Sequence, residues 1–156
     1  MTPAVKQLEK AGIAFTLAEY PHDPRSPAYG EEAARALGLS VDEVFKTLVA
    51  RLDDGRLAVA IVPVSSQLDL KALARVAGAR KAQMAEGEEA QRATGYVLGG
   101  ISPLGQKRRL PTFLDASAES LASIHVSGGR RGLEICLAPA DLLRLTDGCL
   151  AGLARG

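Results

Sequence analysis

The chain has 156 residues, 19 basic and 18 acidic, for a formal net charge of +1. That length fits one domain with a buried core, and a hydrophobic content of 47% excludes disorder as a description of the whole chain. So even a charge balance also excludes a general nucleic-acid coat, which needs a large basic excess.

Thr2-Pro3 reads as a helix start, a capping hydroxyl followed by proline at the first helical position, with Gly12 as the stop. Ile13 to Tyr20 reads as a strand, and Pro21 to Gly30, with its three prolines, as a loop long enough to cover a site. Glu31 to Leu37 is predicted as a short helix ended by Gly38. Ser40-x-x-Glu43 has the form of a capping box and predicts another. Phe45 to Leu52 and Arg56 to Val64 flank Asp53-Asp54-Gly55, a β-hairpin signal. Helices are predicted from Asp69 to Ala77 and from Glu86 to Thr94, stopped by Gly78 and Gly95. Three short strands follow, at Thr112 to Asp115, Ser123 to Ser127 and Leu133 to Leu137, and Gly128 to Gly132 turns between the last two. Pro139 to Leu145 is the closing helix.

No repeat or linker divides the chain, so residues 1–156 are expected to form a single domain. Strands and helices mix without a βαβ rhythm, which argues for an α+β fold around a curved, barrel-like sheet. Residues 65–115 carry 8 basic and 5 acidic groups, the only net positive third. Cys136 and Cys149 form no CxxC, and His22 and His125 are remote in sequence. No zinc site, other metal, cofactor or disulfide framework is expected. The opening MTPAVKQLEKAG lacks an apolar signal core. The longest apolar run, Leu57 to Val64, falls far short of the roughly 20 residues of a bilayer span. A cytoplasmic location is expected, with neither membrane nor DNA as a partner.

Lys46 is the first candidate for chemistry. Period-two alternation puts it on the face of Leu48, Ala50 and Leu52. An isolated lysine there most often snorkels to water; the sharper reading is a cation lining a pocket and holding a carbonyl oxygen or phosphate. Gly99-Gly100-Ile101-Ser102-Pro103-Leu104-Gly105 could let backbone N–H groups approach a ligand, or be an ordinary Gly-Pro turn. Lys107-Arg108-Arg109 follows it. Glu134 faces away from Leu133 and Ile135, toward solvent in a one-sided sheet or toward a cation in a pocket. Tyr20, His22 and Tyr29 sit in or beside the proline-rich loop. No side-chain nucleophile has an activating base at telling spacing.

Val44-Phe45-Lys46-Thr47-Leu48, Pro63-Val64-x-x-Gln67-Leu68-Asp69-Leu70-Lys71, Thr94 to Lys107 (TGYVLGGISPLGQK) and Val126 to Leu133 (VSGGRRGL) resemble, in order and over essentially the whole chain, the YbaK family of free-standing aminoacyl-tRNA editing domains. The branch most similar is that of the bacterial Cys-tRNA(Pro) deacylases. The resemblance implies a strongly curved mixed sheet with surrounding helices. It implies, as substrate, cysteine wrongly esterified to tRNA(Pro), with Cys-tRNA(Cys) as a second. The partners implied are the acceptor end of the mischarged tRNA and, transiently, prolyl-tRNA synthetase. It further implies that the substrate's own thiol attacks its ester, releasing a thiolactone. Carried over by motif, Lys46 is the critical catalytic lysine and Thr47 its neighbour. Gly99, Gly100 and Ile101 offer backbone contacts, and Tyr20, His22 and Tyr29 form the pocket rim. Glu134 stands where the family often has aspartate. Two alternatives stay open: another aminoacyl specificity, such as Ala-tRNA(Pro), and a non-catalytic module that binds a tRNA acceptor end or a small ligand.

Overall fold

Thr2 caps the first helix. Its hydroxyl oxygen accepts from the Val5 N–H at 3.3 Å, and α1 (Pro3–Ala11) ends where Gly12 turns left-handed at φ 68°. The computed structural model describes residues 1–26 and 29–156. Along the chain follow β1 (Thr16–Glu19), α2 (Tyr29–Leu37), β2 (Phe45–Leu52), β3 (Leu57–Pro63), β4 (Gln67–Leu68), α3 (Leu70–Val76), β5 (Ala82–Met84) and α4 (Gly87–Thr94). Then come β6 (Thr112–Asp115), a 3-10 turn (Ala116–Ser120), β7 (Ile124–Ser127), β8 (Leu133–Leu137), α5 (Pro139–Thr146), β9 (Cys149–Ala151) and β10 (Ala154–Arg155).

A five-stranded mixed sheet has the order β5-β2-β3-β6-β9. The β2–β3 hairpin is antiparallel, with Lys46 opposite Val62 and Thr47 opposite Ile61. β6 joins β3 in parallel and β9 joins β6 in parallel. A second, antiparallel sheet has the order β1-β8-β7. A parallel bridge from Val44 to His125 ties its β7 edge to the start of β2, so the two sheets curve into one barrel-like wall. β4 and β10 pair separately.

The large sheet is covered on both faces. Phe45, Val49, Val59 and Ile61 face the main core, with Leu8 of α1, Ala90 and Ala93 of α4, Ile124, Ile135 and Leu142. Ala50, Ala60 and Val62 face a smaller cluster with Leu73 of α3 and Leu153 of the tail. Double coverage explains why β3 is buried at every position. The result is the mixed α+β architecture that the sequence predicts.

Several local expectations are corrected. The Ser40 box does not start a helix. The Ser40 hydroxyl accepts from Asp42 N–H at 3.1 Å, two residues on, and Glu43 N–H bonds the Ser40 carbonyl at 3.0 Å. Residues 41–43 are therefore a turn, because Val44 is already held by the bridge to β7. The strand expected from Ile13 to Tyr20 is confined to Thr16–Glu19, since only those residues meet β8. Tyr29 and Gly30, expected in the loop, open α2, and Pro27 and Ala28 of that loop lie outside the described residues. Cys149, in the terminal tail after the closing helix, stands in β9. No helix among the described residues is long and apolar enough to cross a membrane.

Candidate functional site

The start of β2 sits where three loops meet. Beside it lies a pocket of about 450 Å³, within the usual size range for a small-ligand cavity. One wall is Val44 and the first half of β2, from Phe45 to Val49. The others come from Tyr20, the first turn of α2, Met84 at the end of β5 with Ala85 after it, Leu98, Gly99 and Ile101, Ser127 and Glu134 of the second sheet, and Arg130 in the turn between its last two strands.

Lys46 lies on the face of Leu48 and Ala50, as alternation requires, but at the strand's start that face meets α2 rather than α3. A Cβ on Gly30 would stand 4.0 Å from Lys46 Cβ and 2.3 Å from Val64 Cγ1, so α2 can lie this close only because residue 30 is glycine. The lysine is half-buried and reaches the pocket. Burial pulls its ammonium below the usual lysine range, and Glu31 beside it pulls the other way. Thr47 also lines the pocket; its Oγ1 is buried with no hydrogen-bond partner among the described residues.

Glu134 is the most unusual group. It is only 6% exposed, and its Oε2 has no partner among the described residues. Burial pushes its carboxyl up to about 8, so it is largely protonated at neutral pH. It stands opposite Ser127 on β7 and Ala18 on β1, which sets it in the middle strand of its sheet, facing the cavity. Tyr20 lies close. Burial, with the Glu134 and Glu32 charges, raises its hydroxyl against a backbone hydrogen bond from Gly132, so it stays a neutral donor.

Of the residues singled out from sequence, the structure brings Tyr20, Tyr29, Lys46, Thr47, Gly99, Ile101 and Glu134 to one cavity. His22 is exposed and Gly100 is buried, and neither lines it. The Gly100 N–H is taken by the Val97 carbonyl at 3.0 Å. Its missing Cβ makes room for the backbone of Arg130, 2.8 Å from where that Cβ would be. Gly100 therefore serves the packing of the loop against Arg130. Lys107, Arg108 and Arg109 lie outside the pocket. Met84, Ala85, Leu98 and Glu31 line it without having been anticipated. Glu31, directly after the loop, carried a signal in its acidic character; the three-residue strand before Ala85 carried none.

No lining residue is cysteine or histidine. Ser127 Oγ accepts from Gly129 N–H at 3.2 Å, and no carboxylate or imidazole among the described residues bonds it or Thr47. The cavity thus offers a cation, a neutral acid and hydroxyl donors, a set that orients and stabilises rather than attacks. Fold and cavity together define a mixed α+β domain with a cavity of small-ligand size beside the start of β2.

Comparison with known proteins gives the class a family. Residues 24–145 match the model of the aminoacyl-tRNA editing domain. The chain is 40% identical over 121 residues to "Putative Cys-tRNA(Pro)/Cys-tRNA(Cys) deacylase EbsC" of Enterococcus faecalis, covering 78% of this chain and 74% of that one. It is 32% identical over 136 residues to a proline--tRNA ligase of Shouchella clausii, where the match spans 78% of this chain but 24% of the ligase. A solved structure titled "Crystal structure of a putative trans-editing enzyme for prolyl tRNA synthetase" superposes with a TM-score of 0.84 at 28% identity, over 100% of this chain and 99% of that one. The chain belongs to the aminoacyl-tRNA editing domain family, and its substrate class is aminoacyl-tRNA.

Proposed function

We propose that the chain is a trans-acting deacylase that clears cysteine from tRNA(Pro), and from tRNA(Cys) as a second substrate, using the cysteine thiol as the nucleophile. The observation that carries this is the pocket's inventory: Lys46 and Glu134 in one cavity with no activated protein nucleophile among the described lining residues. The identity of 40% to a protein named for that substrate pair supports the same reading.

In the reaction, the substrate sulfur bonds to its own ester carbonyl carbon and the carbon–oxygen bond to the ribose breaks. The thiol proton ends on the ribose hydroxyl, and a cysteine thiolactone leaves. The protein folds the substrate into the attacking conformation. Lys46, the catalytic residue, stabilises the negative charge growing on the carbonyl oxygen. Glu134 takes the substrate amine. Tyr20, Tyr29, Thr47, Gly99 and Ile101 shape the walls. His22 and Gly100 have no role at the ester. An editor is needed because cysteine and proline are close in size, and an apolar pocket separates such pairs by only about 1–3 kcal/mol.

Residues 1–156 act as one editing domain: Leu8 before the matched stretch and Leu153 after it are both fully buried in the same body. A domain of charge +1 binds the tRNA body weakly. Prolyl-tRNA synthetase, transiently associated, supplies that grip; the similarity to a ligase segment supports the pairing.

The test is deacylation of Cys-, Ala- and Ser-tRNA(Pro) side by side, with the small product identified. Loss of the cysteinyl ester alone, with a thiolactone product, is the expected result. Cleavage of the alanyl ester would mean that water or a protein group attacks. No cleavage of any ester would leave a binding module.

A further inference from the structure

Arg131 does not line the pocket, yet it is the hub of the three loops that do. Its Nη2 donates to the Asp23 carbonyl at 3.0 Å, the Ser26 carbonyl at 3.1 Å and Glu32 Oε1 at 3.3 Å. Glu32 Oε2 accepts from the Asp23 N–H at 2.7 Å, so one guanidinium and one carboxylate tie both ends of the proline-rich loop together. The pair is mostly out of water, with side chains 16% and 10% exposed. The guanidinium carbon stacks 4.2 Å from the centroid of the Tyr29 ring. Gly99 leaves space for both: a Cβ there would be 3.0 Å from Arg131 Cδ and 3.1 Å from the Tyr29 ring. Tyr29 and Gly99 line the cavity, whereas Arg131 reaches them from behind. No hydrogen bond among the described residues holds Tyr29's side chain.

We infer that Arg131 is a positioning residue for ester cleavage, strapping residues 23–26 and 29–32 to the turn 128–132 and fixing the Tyr29 ring as a wall of the pocket. The catalytic half of this rests on the deacylase reading above. The planar guanidinium is required by the ring: a lysine ammonium that takes the place of Nη2 leaves nothing flat to lie on Tyr29.

Arg131→Lys keeps a cation beside Glu32, so the variant is expected to fold and to melt within about 3 °C of the parent. Amide hydrogen exchange over residues 20–26 and 29–37 is expected to rise about tenfold or more, with β2 and β3 unchanged. Single-turnover deacylation is expected to slow about tenfold at saturation, with the half-saturating concentration within about threefold. In a Tyr29→Ala background, adding Arg131→Lys should slow cleavage by less than about twofold, because the wall it positions is gone. Unchanged exchange in Arg131→Lys overturns the strap. An undiminished rate penalty in the Tyr29→Ala background overturns positioning through Tyr29. If the parent cleaves no ester, the deacylase reading and the catalytic half fall together, and the exchange comparison decides the strap alone.

Discussion

Lys46 and Glu134 put opposite demands on one cavity. Lys46→Ala is expected to cost about 2–4 kcal/mol of transition-state stabilisation, as for removal of an oxyanion contact, with the melting temperature nearly unchanged because the lysine is only half-buried. Parent-like cleavage by the variant would remove Lys46 from the mechanism. For Glu134, the folded-state carboxyl at about 8 stands above its ordinary 4.5, so the native protein holds a proton that the unfolded chain has lost between those values. Stability therefore falls as pH rises through that window and stays lower above it. Glu134→Gln is expected to melt higher than the parent at pH 9, by an amount on the order of several kcal/mol in stability, and to lose that advantage near pH 5. Melting curves at both pH values check it; a gap that ignores pH would mean that the carboxyl is ionised throughout. Alternation in the sequence placed Lys46 on its face and Glu134 opposite Leu133 and Ile135. It could not say that the larger sheet would stand across a cavity from Glu134, because a period of two shows which side a residue faces and nothing about what covers that side.

At the level of elements, legibility followed length. The β2–β3 hairpin, α3, α4 and β8 follow from their residues within a position or two, since each has a turn or cap with one physical reading. β4, β5, β9 and β10 are two or three residues long and exist because a partner strand is already there. Too few side chains alternate in them to leave a pattern. The glycine run shows a different limit: Gly100 and Gly105 each leave room for neighbouring protein backbone that is remote in sequence. Gly105 is the sharpest case, at φ 66°, with a Cβ position 2.5 Å from the carbonyl carbon of Pro3. Gly12 has φ 68° but open space around it. Gly12→Ala is expected to cost about 1–2 kcal/mol, the left-handed penalty alone. Gly105→Ala should cost at least about 1–3 kcal/mol more, because helix α1 must move off the loop. Urea unfolding of the pair reads the difference; equal losses would show that the loop yields freely.

For the whole molecule, closure depends on a carboxylate that the sequence did not advertise. Asp115, 4% exposed, ends β6 and accepts from the N–H groups of Leu153 and Ala154, each at 2.8 Å, and of Ser117 at 3.1 Å. Burial pushes its carboxyl up, but these hydrogen bonds outweigh burial and hold it below the ordinary value. Its contribution is present above the unfolded-state value and is lost as pH falls through the lower folded one. Asp115→Asn should therefore be less stable than the parent by about 1–3 kcal/mol at pH 6, a gap that narrows toward pH 3. A constant gap would assign the loss to packing instead of charge. Such contacts were invisible in the sequence because acceptor and donors lie 38 and 39 positions apart.

The pairing of β1 with β8 carries this separation further and gives the protein a timetable. Thr16 meets Cys136 and Glu19 meets Leu133. On a ribosome adding about 5–20 residues per second, β1 waits roughly ten seconds for its partner strand. For most of that interval Tyr20 and Lys46 have been synthesised, yet the wall that carries Glu134 has not. An incomplete chain thus holds half of the cavity and cannot close it, and the competent enzyme exists only after nearly all of its own translation is done.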